Sequence, residues 1–146
     1  MRILDHIRES NRIEGIEREP TTEEVEAHID FLGLNEITIA DLERFVSVYQ
    51  PGAVLRLRPG MNVRVGAYYP PEGGEHIREQ LQALLDEINA GIVTSWHAHL
   101  AYEALHPFTD GNGRSGRMLW YGMVRSSSFM HLGFLHAFYY QTLAAA

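Results

Sequence analysis

Residues 106–117, HPFTDGNGRSGR, gather a histidine, an acid, an amide, three glycines and two arginines in one short run. Gly111 and Gly113 admit backbone angles closed to other residues and let a ligand approach the main chain closely. Their amides, leading into a following helix, make a concave set of N–H donors at the positive end of a helix dipole, which is an anion site. Arg114 and Arg117, three apart, share roughly one helix face and offer guanidinium forks to phosphate oxygens. Asp110 would repel a bare anion, but it can ligate a hard divalent cation that itself bridges phosphates. His106 titrates near neutrality and can take the proton of an attacking hydroxyl. Together these residues suggest magnesium-nucleotide phosphates and phosphate-group transfer without a Walker loop, since GxxxxGK is absent from the sequence.

Each piece alone has an ordinary explanation. Asn112-Gly113 is a common turn dipeptide, a histidine at a helix end is often a cap or a core residue, and two arginines can form a solvated face. The combination favours chemistry. His97 and His99 do not extend it to a histidine-bound metal, because alternate residues on a helix point about 200° apart.

The elements that must position this run are mostly helical. Ile3, Leu4 and Ile7 begin a short amphipathic helix that runs to Glu14 and stops at Gly15. Thr21 with Glu24 and Thr38 with Asp41 are capping-box pairs, each followed by apolar residues at helical spacing: Val25, Ile29 and Leu32, then Leu42, Phe45, Val46 and Tyr49. Apolar and basic residues alternate on both sides of PGMN between residues 55 and 66, the pattern of a β-hairpin. Ile77, Leu81, Leu84, Leu85 and Ile88 mark another helix, with further helices predicted near 93–105, 113–124 and 132–143, and a loop at 126–128. The predicted fold class is mainly α, a helical core with one short β-hairpin flap.

Composition narrows the function classes. A chain of 146 residues with 45% hydrophobic and 21% charged residues has the size and make-up of a single globular domain. A net charge of −7 removes a general basic footprint for nucleic acid. With no cysteine, disulfides, thiolate catalysis and cysteine-held zinc are excluded. Charges interrupt the first residues, and no uncharged run approaches the ~18 apolar residues of a membrane span. The expectation is a cytoplasmic protein with neither a nucleic acid nor a membrane as partner.

The run HPFTDGNGRSGR matches the signature of Fic domains, HxFx[DE]GNGRxxR, at every fixed position. The resemblance covers most of the chain and implies a Fic-type helical core with a flap at 55–66 and the motif at 106–117. It implies transfer of AMP from ATP to a Ser, Thr or Tyr hydroxyl of a target protein, with Mg2+ as cofactor. His106 would then be the base and Phe108 the anchor of the motif loop. Asp110 would hold the metal, Gly111, Asn112 and Gly113 would cradle the phosphates, and Arg114 and Arg117 would hold the outer ones. Leu57, Arg58, Met61, Asn62 and Val63 of the flap would capture the target segment by strand addition. SNRIEG at 10–15 resembles the inhibitory [ST]xxxE[GN] helix of the subgroup in which that helix precedes the core, here residues 1–15. Ser10 and Glu14 would then face the site, with Glu14 paired to Arg117.

Other activities remain open on sequence grounds. Glu14 could position a water for the reverse removal of AMP. Protein phosphorylation, the chemistry of the Doc branch, is disfavoured by Gly113, which that branch replaces with a bulkier residue. A binding or regulatory module that keeps the fold without turnover is a further class. The target could be the protein itself, and a homo-oligomer is expected as an option because Leu132, Leu135, Phe138 and Tyr139 lie near one helical stripe.

Overall fold

A computed structural model describes residues 2–125. The predicted helix at 132–143, its apolar stripe and the loop at 126–128 lie outside these residues. Among the described residues the elements are helical: α1 (Ile3–Ile13), α2 (Thr22–Leu32), α3 (Ile39–Tyr49), α4 (Glu75–Asn89), α5 (Ser95–Leu105) and α6 (Asn112–Val124). No helix among them is long and apolar enough to cross a membrane.

Local chemistry sets the boundaries. Thr21 and Glu24 form a complete capping box at the start of α2, and Thr38 and Asp41 form another at α3. The chain leaves α1 through Gly15, whose φ of 76° is a left-handed conformation that suits a residue without a Cβ.

Helix α6 is the axis of the fold. Every residue from Gly111 to Tyr121 is buried, whereas the other helices bury one face. It packs most closely on α5 and also touches α1 and α3. Gly116 permits the approach of α5, since a Cβ there would strike Glu103 Oε1 and come within 2.9 Å of Tyr102 Cδ1. The core around this axis includes Leu42, Phe45, Ile77, Leu81, Leu85, Tyr102, Phe108 and Leu119.

Helix α1 docks through both apolar and polar contacts. Ile7 is fully buried, and the His6 ring stacks on Tyr121 with centroids 4.3 Å apart. Asn11 Nδ2 donates to Glu24 Oε2 at 3.2 Å, and that buried carboxylate also takes Arg18 Nη2 at 2.7 Å. The glutamate that caps α2 thus also anchors α1.

The alternating segment at 55–66 departs from the predicted hairpin. Among the described residues its two halves form no ladder with each other; the bridges are Leu55 with Phe108 and Val65 with Tyr68. The first half instead lies along the motif loop, where Arg56 N–H donates to the Pro107 carbonyl and Thr109 N–H to the Val54 carbonyl, both at 2.9 Å. Burial explains the difference. Leu55 is 6% exposed and enters the core under the motif loop, so its backbone pairs with that loop rather than with residues 63–65.

Candidate active site

The motif loop closes on itself through Asn112. Phe108 N–H donates to Asn112 Oδ1 and Asn112 Nδ2 donates to the Phe108 carbonyl, each at 2.8 Å, so the amide is a clip across the turn. Phe108 is 1% exposed and pins the clip into the core. The side chain of Asn112 is therefore committed to the loop, and what it can offer an anion is its backbone N–H.

Gly111 sits before α6 with φ 79°, a left-handed turn into the helix that suits a residue without a Cβ. The amides of Asn112, Gly113 and Arg114 precede the first intrahelical donor, Ser115 N–H, which bonds to the Gly111 carbonyl at 3.1 Å. They border a cavity of about 360 Å³ lined by Glu14, Val63, Val65, His106, Asp110 and Gly111 among others.

His106 terminates α5 in the left-handed region, φ 49° and ψ 61°, the one non-glycine residue among those described with positive φ. Its Nδ1 lies 3.0 Å from the Glu103 carbonyl. A carbonyl only accepts, so Nδ1 carries the proton and Nε2 keeps its lone pair. Burial pushes the His106 pKa below its usual value; the Glu103 carbonyl opposes this, Arg56 adds to it, and Glu14 and Asp110 oppose it. The ring is neutral at neutral pH, which is the state a general base requires.

The two arginines have different settings. Arg114 lines the cavity, and its guanidinium lies over the Tyr49 ring, 4.5 Å from the centroid. That stacking fixes the plane of the fork. Arg117 is fully buried beneath α1: Nε donates to Ser10 Oγ at 2.9 Å, and Nη2 to the Ser10 carbonyl at 3.1 Å and to Glu14 Oε1 at 2.6 Å. Ser10, Glu14 and Arg117 are thus brought together, while Arg114 borders the cavity and stacks on Tyr49.

Asp110 is exposed at the cavity rim, with Oδ1 accepting the Gly111 N–H at 2.7 Å. Among the described residues no three His, Cys, Asp or Glu side chains gather to hold a metal. A hard carboxylate beside a row of amides fits Mg2+ that takes its remaining oxygens from phosphates and water.

Of the expected flap residues, Val63 lines the cavity, joined by Arg64 and Val65. Leu57 packs against the core and Arg58 faces solvent. Asn62 Oδ1 accepts the Gly73 N–H at 2.9 Å, and Met61 contributes its carbonyl to Arg56. Arg56 and Tyr49 are the site residues that the sequence left unnoticed. Tyr49 falls on the apolar stripe of α3, and nothing in its spacing points to Arg114. Strict alternation would send Arg56 outward beside Arg58, yet Arg56 is fully buried. His97 is exposed and His99 buried, as their opposed directions on α5 require.

A family model described as the Fic/DOC family matches residues 27–123, a span that holds the whole motif and the alternating segment and begins after α1.

Proposed function

The chain belongs to the Fic/DOC family, and on that premise we propose that it is a protein adenylyltransferase held in check by its own N-terminal helix. The observation that carries this reading is the shared cavity: an unprotonated His106 Nε2, the amides that open α6, the Arg114 fork and Asp110 all border one space. In the proposed reaction the acceptor hydroxyl oxygen attacks the α-phosphorus of ATP. Its proton passes to His106 Nε2, the bond between the α-phosphorus and the bridging oxygen breaks, and pyrophosphate leaves. The amides of Asn112, Gly113 and Arg114 stabilise charge that grows on the phosphate oxygens. Mg2+, when bound, would supply positive charge across those oxygens, with Asp110 as its protein ligand. Val63 and Val65 with the neighbouring backbone would hold the target segment within reach of the base.

Autoinhibition follows from Arg117. A guanidinium held by Ser10 and Glu14 is withdrawn from the nucleotide, so the outer phosphates lack one of their two arginines until α1 moves. Glu14 borders the same cavity as His106, which favours a second reading in which its carboxylate orients a water for removal of AMP from a modified protein.

The test is label transfer from ATP to the protein and to a panel of cellular proteins, with Glu14→Gly as the enzyme. Label at the α-phosphate should enter protein and label at the γ-phosphate should not. Entry of the γ-label would make this a kinase, and no entry of either would end the transferase reading. AMP release from a modified protein, lost in Glu14→Gly, would favour the second reading.

A further inference from the structure

Arg56 carries a buried cation whose guanidinium bonds are to backbone carbonyls. Nε donates to the His106 carbonyl at 2.7 Å and Nη2 to the Leu105 carbonyl at 2.8 Å. Nη1 donates to Met61 at 3.0 Å and to Pro71 at 2.8 Å. The first pair ends α5, where carbonyls have no further helical N–H to accept and the helix dipole is negative. The second pair brackets the loop that carries Val63 and Val65 into the cavity. Its backbone is fastened on both sides as well, to Pro107 through its N–H and to Gly74 through its carbonyl, each at 2.9 Å.

We propose that Arg56 is a positioning residue that locks the proposed base, His106, and the cavity-lining loop into one fixed relation. His106 occupies a left-handed conformation that a residue with a Cβ keeps only where its surroundings over-determine it. The bond from Arg56 Nε to its carbonyl is one such constraint, and the Nδ1 bond to Glu103 is another. A planar fork can span carbonyls from two separate segments, whereas a lysine ammonium offers its three donors from one point. An acceptor hydroxyl brought in by the loop then meets Nε2 at a set distance, which is where positional error is most costly to rate.

This inference rests on the reading of His106 as base, and its test separates the two. The full chain carrying Glu14→Gly is compared with the same chain carrying also Arg56→Lys or Arg56→Gln. The readouts are the labelling rate at saturating ATP, the ATP dissociation constant and the ring NMR signals of His106, His6 and His99. The expected result is a rate lower by roughly tenfold or more with ATP affinity held within about twofold. The His106 signals move while those of His6 and His99 stay in place. The His106 titration midpoint rises more in Arg56→Gln than in Arg56→Lys, because Gln also removes a positive charge. Unmoved His106 signals in both variants overturn the proposal, as does an undiminished rate in a chain that transfers. Loss of the His6 and His99 signals together with ATP binding also overturns it, since that marks general loss of the fold. If Glu14→Gly transfers nothing, the adenylyltransferase reading fails, and the His106 signals alone decide the role of Arg56.

Discussion

Glu14 Oε1 lies 2.6 Å from Arg117 Nη2, joining the end of the first helix to the last residue of the motif. Arg117 is fully buried while the Glu14 side chain is 36% exposed, so the carboxylate is the half of the pair that water reaches. Opening it exchanges a charge-assisted bond for hydration of one carboxylate and, on the proposed function, would free the guanidinium for the nucleotide. A cost of about 1.5–3 kcal/mol is the scale for such a step, so Glu14→Gly should raise labelling roughly ten- to a hundredfold. The measurement is the rate at saturating ATP. A rate equal to the parent's, with ATP bound equally by both, returns α1 to a merely structural role.

His106→Ala should abolish transfer, in the parent and in Glu14→Gly, while ATP binding changes little. In the proposed reaction the imidazole acts on the acceptor proton, while the α6 amides and Arg114, which border the same cavity, would hold the phosphates. Parallel calorimetry and labelling check both halves, and parent-rate labelling by the alanine variant removes His106 as the base.

Asp110→Ala should leave residual transfer that magnesium no longer stimulates, because the cavity rim loses its hard oxygen ligand. A titration of rate against Mg2+ in Glu14→Gly with and without the change tests this. Equal magnesium dependence in the two chains would remove Asp110 from the metal's coordination.

The sequence disclosed chemistry better than path. The two capping boxes, Gly15 and the motif were legible because each depends on residues a few positions apart. Arg56 and Tyr49 were not, because their partners are brought to them by the packing of α3, α5 and α6. Leu55 shows the limit most plainly. Alternation predicted that it would pair within a hairpin, but burial under the motif loop offered more apolar contact and drew its backbone to Phe108. Asn112 likewise sits in a run whose residue types suggest anion binding, yet its side chain serves the loop's closure.

Gly116→Ala should destabilise the fold although Ala is the better helix former. Propensity gains up to about 1 kcal/mol. The new methyl would overlap Glu103 Oε1 and crowd Tyr102, both fully buried, and overpacking of this kind costs about 1–3 kcal/mol. Urea denaturation should therefore show a lower midpoint. An unchanged or raised midpoint would show that Glu103 yields freely, and that the close approach of α5 to α6 does not depend on this glycine.

Acid should weaken the fold through histidines buried in the neutral state. His6 is held well below its usual pKa, first by burial and then by the nearby charges of His28 on α2 and Arg117 on α6. His28 is lowered to about 4 by burial, against the opposing influence of the Glu24 carbonyl and carboxylate. His99 is lowered to about 4 as well, by burial and Arg117, against the Gly116 carbonyl. The unfolded chain therefore takes up protons first as pH falls below about 6.5, and the folded chain follows only near the lowered values. Stability is complete above about pH 6.5 and is lost below it, down to about pH 4 for His28 and His99, by up to about 1.4 kcal/mol per pH unit for each; His6, held well below its usual value, adds to the loss in the same direction. Urea midpoints at about pH 7.5 and about pH 5 measure the loss; working above the carboxylate range keeps protonation of Glu24 out of the comparison. His6→Phe isolates one contribution, since the ring stacks on Tyr121 and neither ring nitrogen has a hydrogen-bond partner among the described residues. That variant should keep the fold at neutral pH and lower the slope of stability against pH by up to one proton. A slope identical to the parent's would mean that His6 is not held neutral beside Arg117, and a flat profile between the two pH values would overturn the assignment for all three histidines.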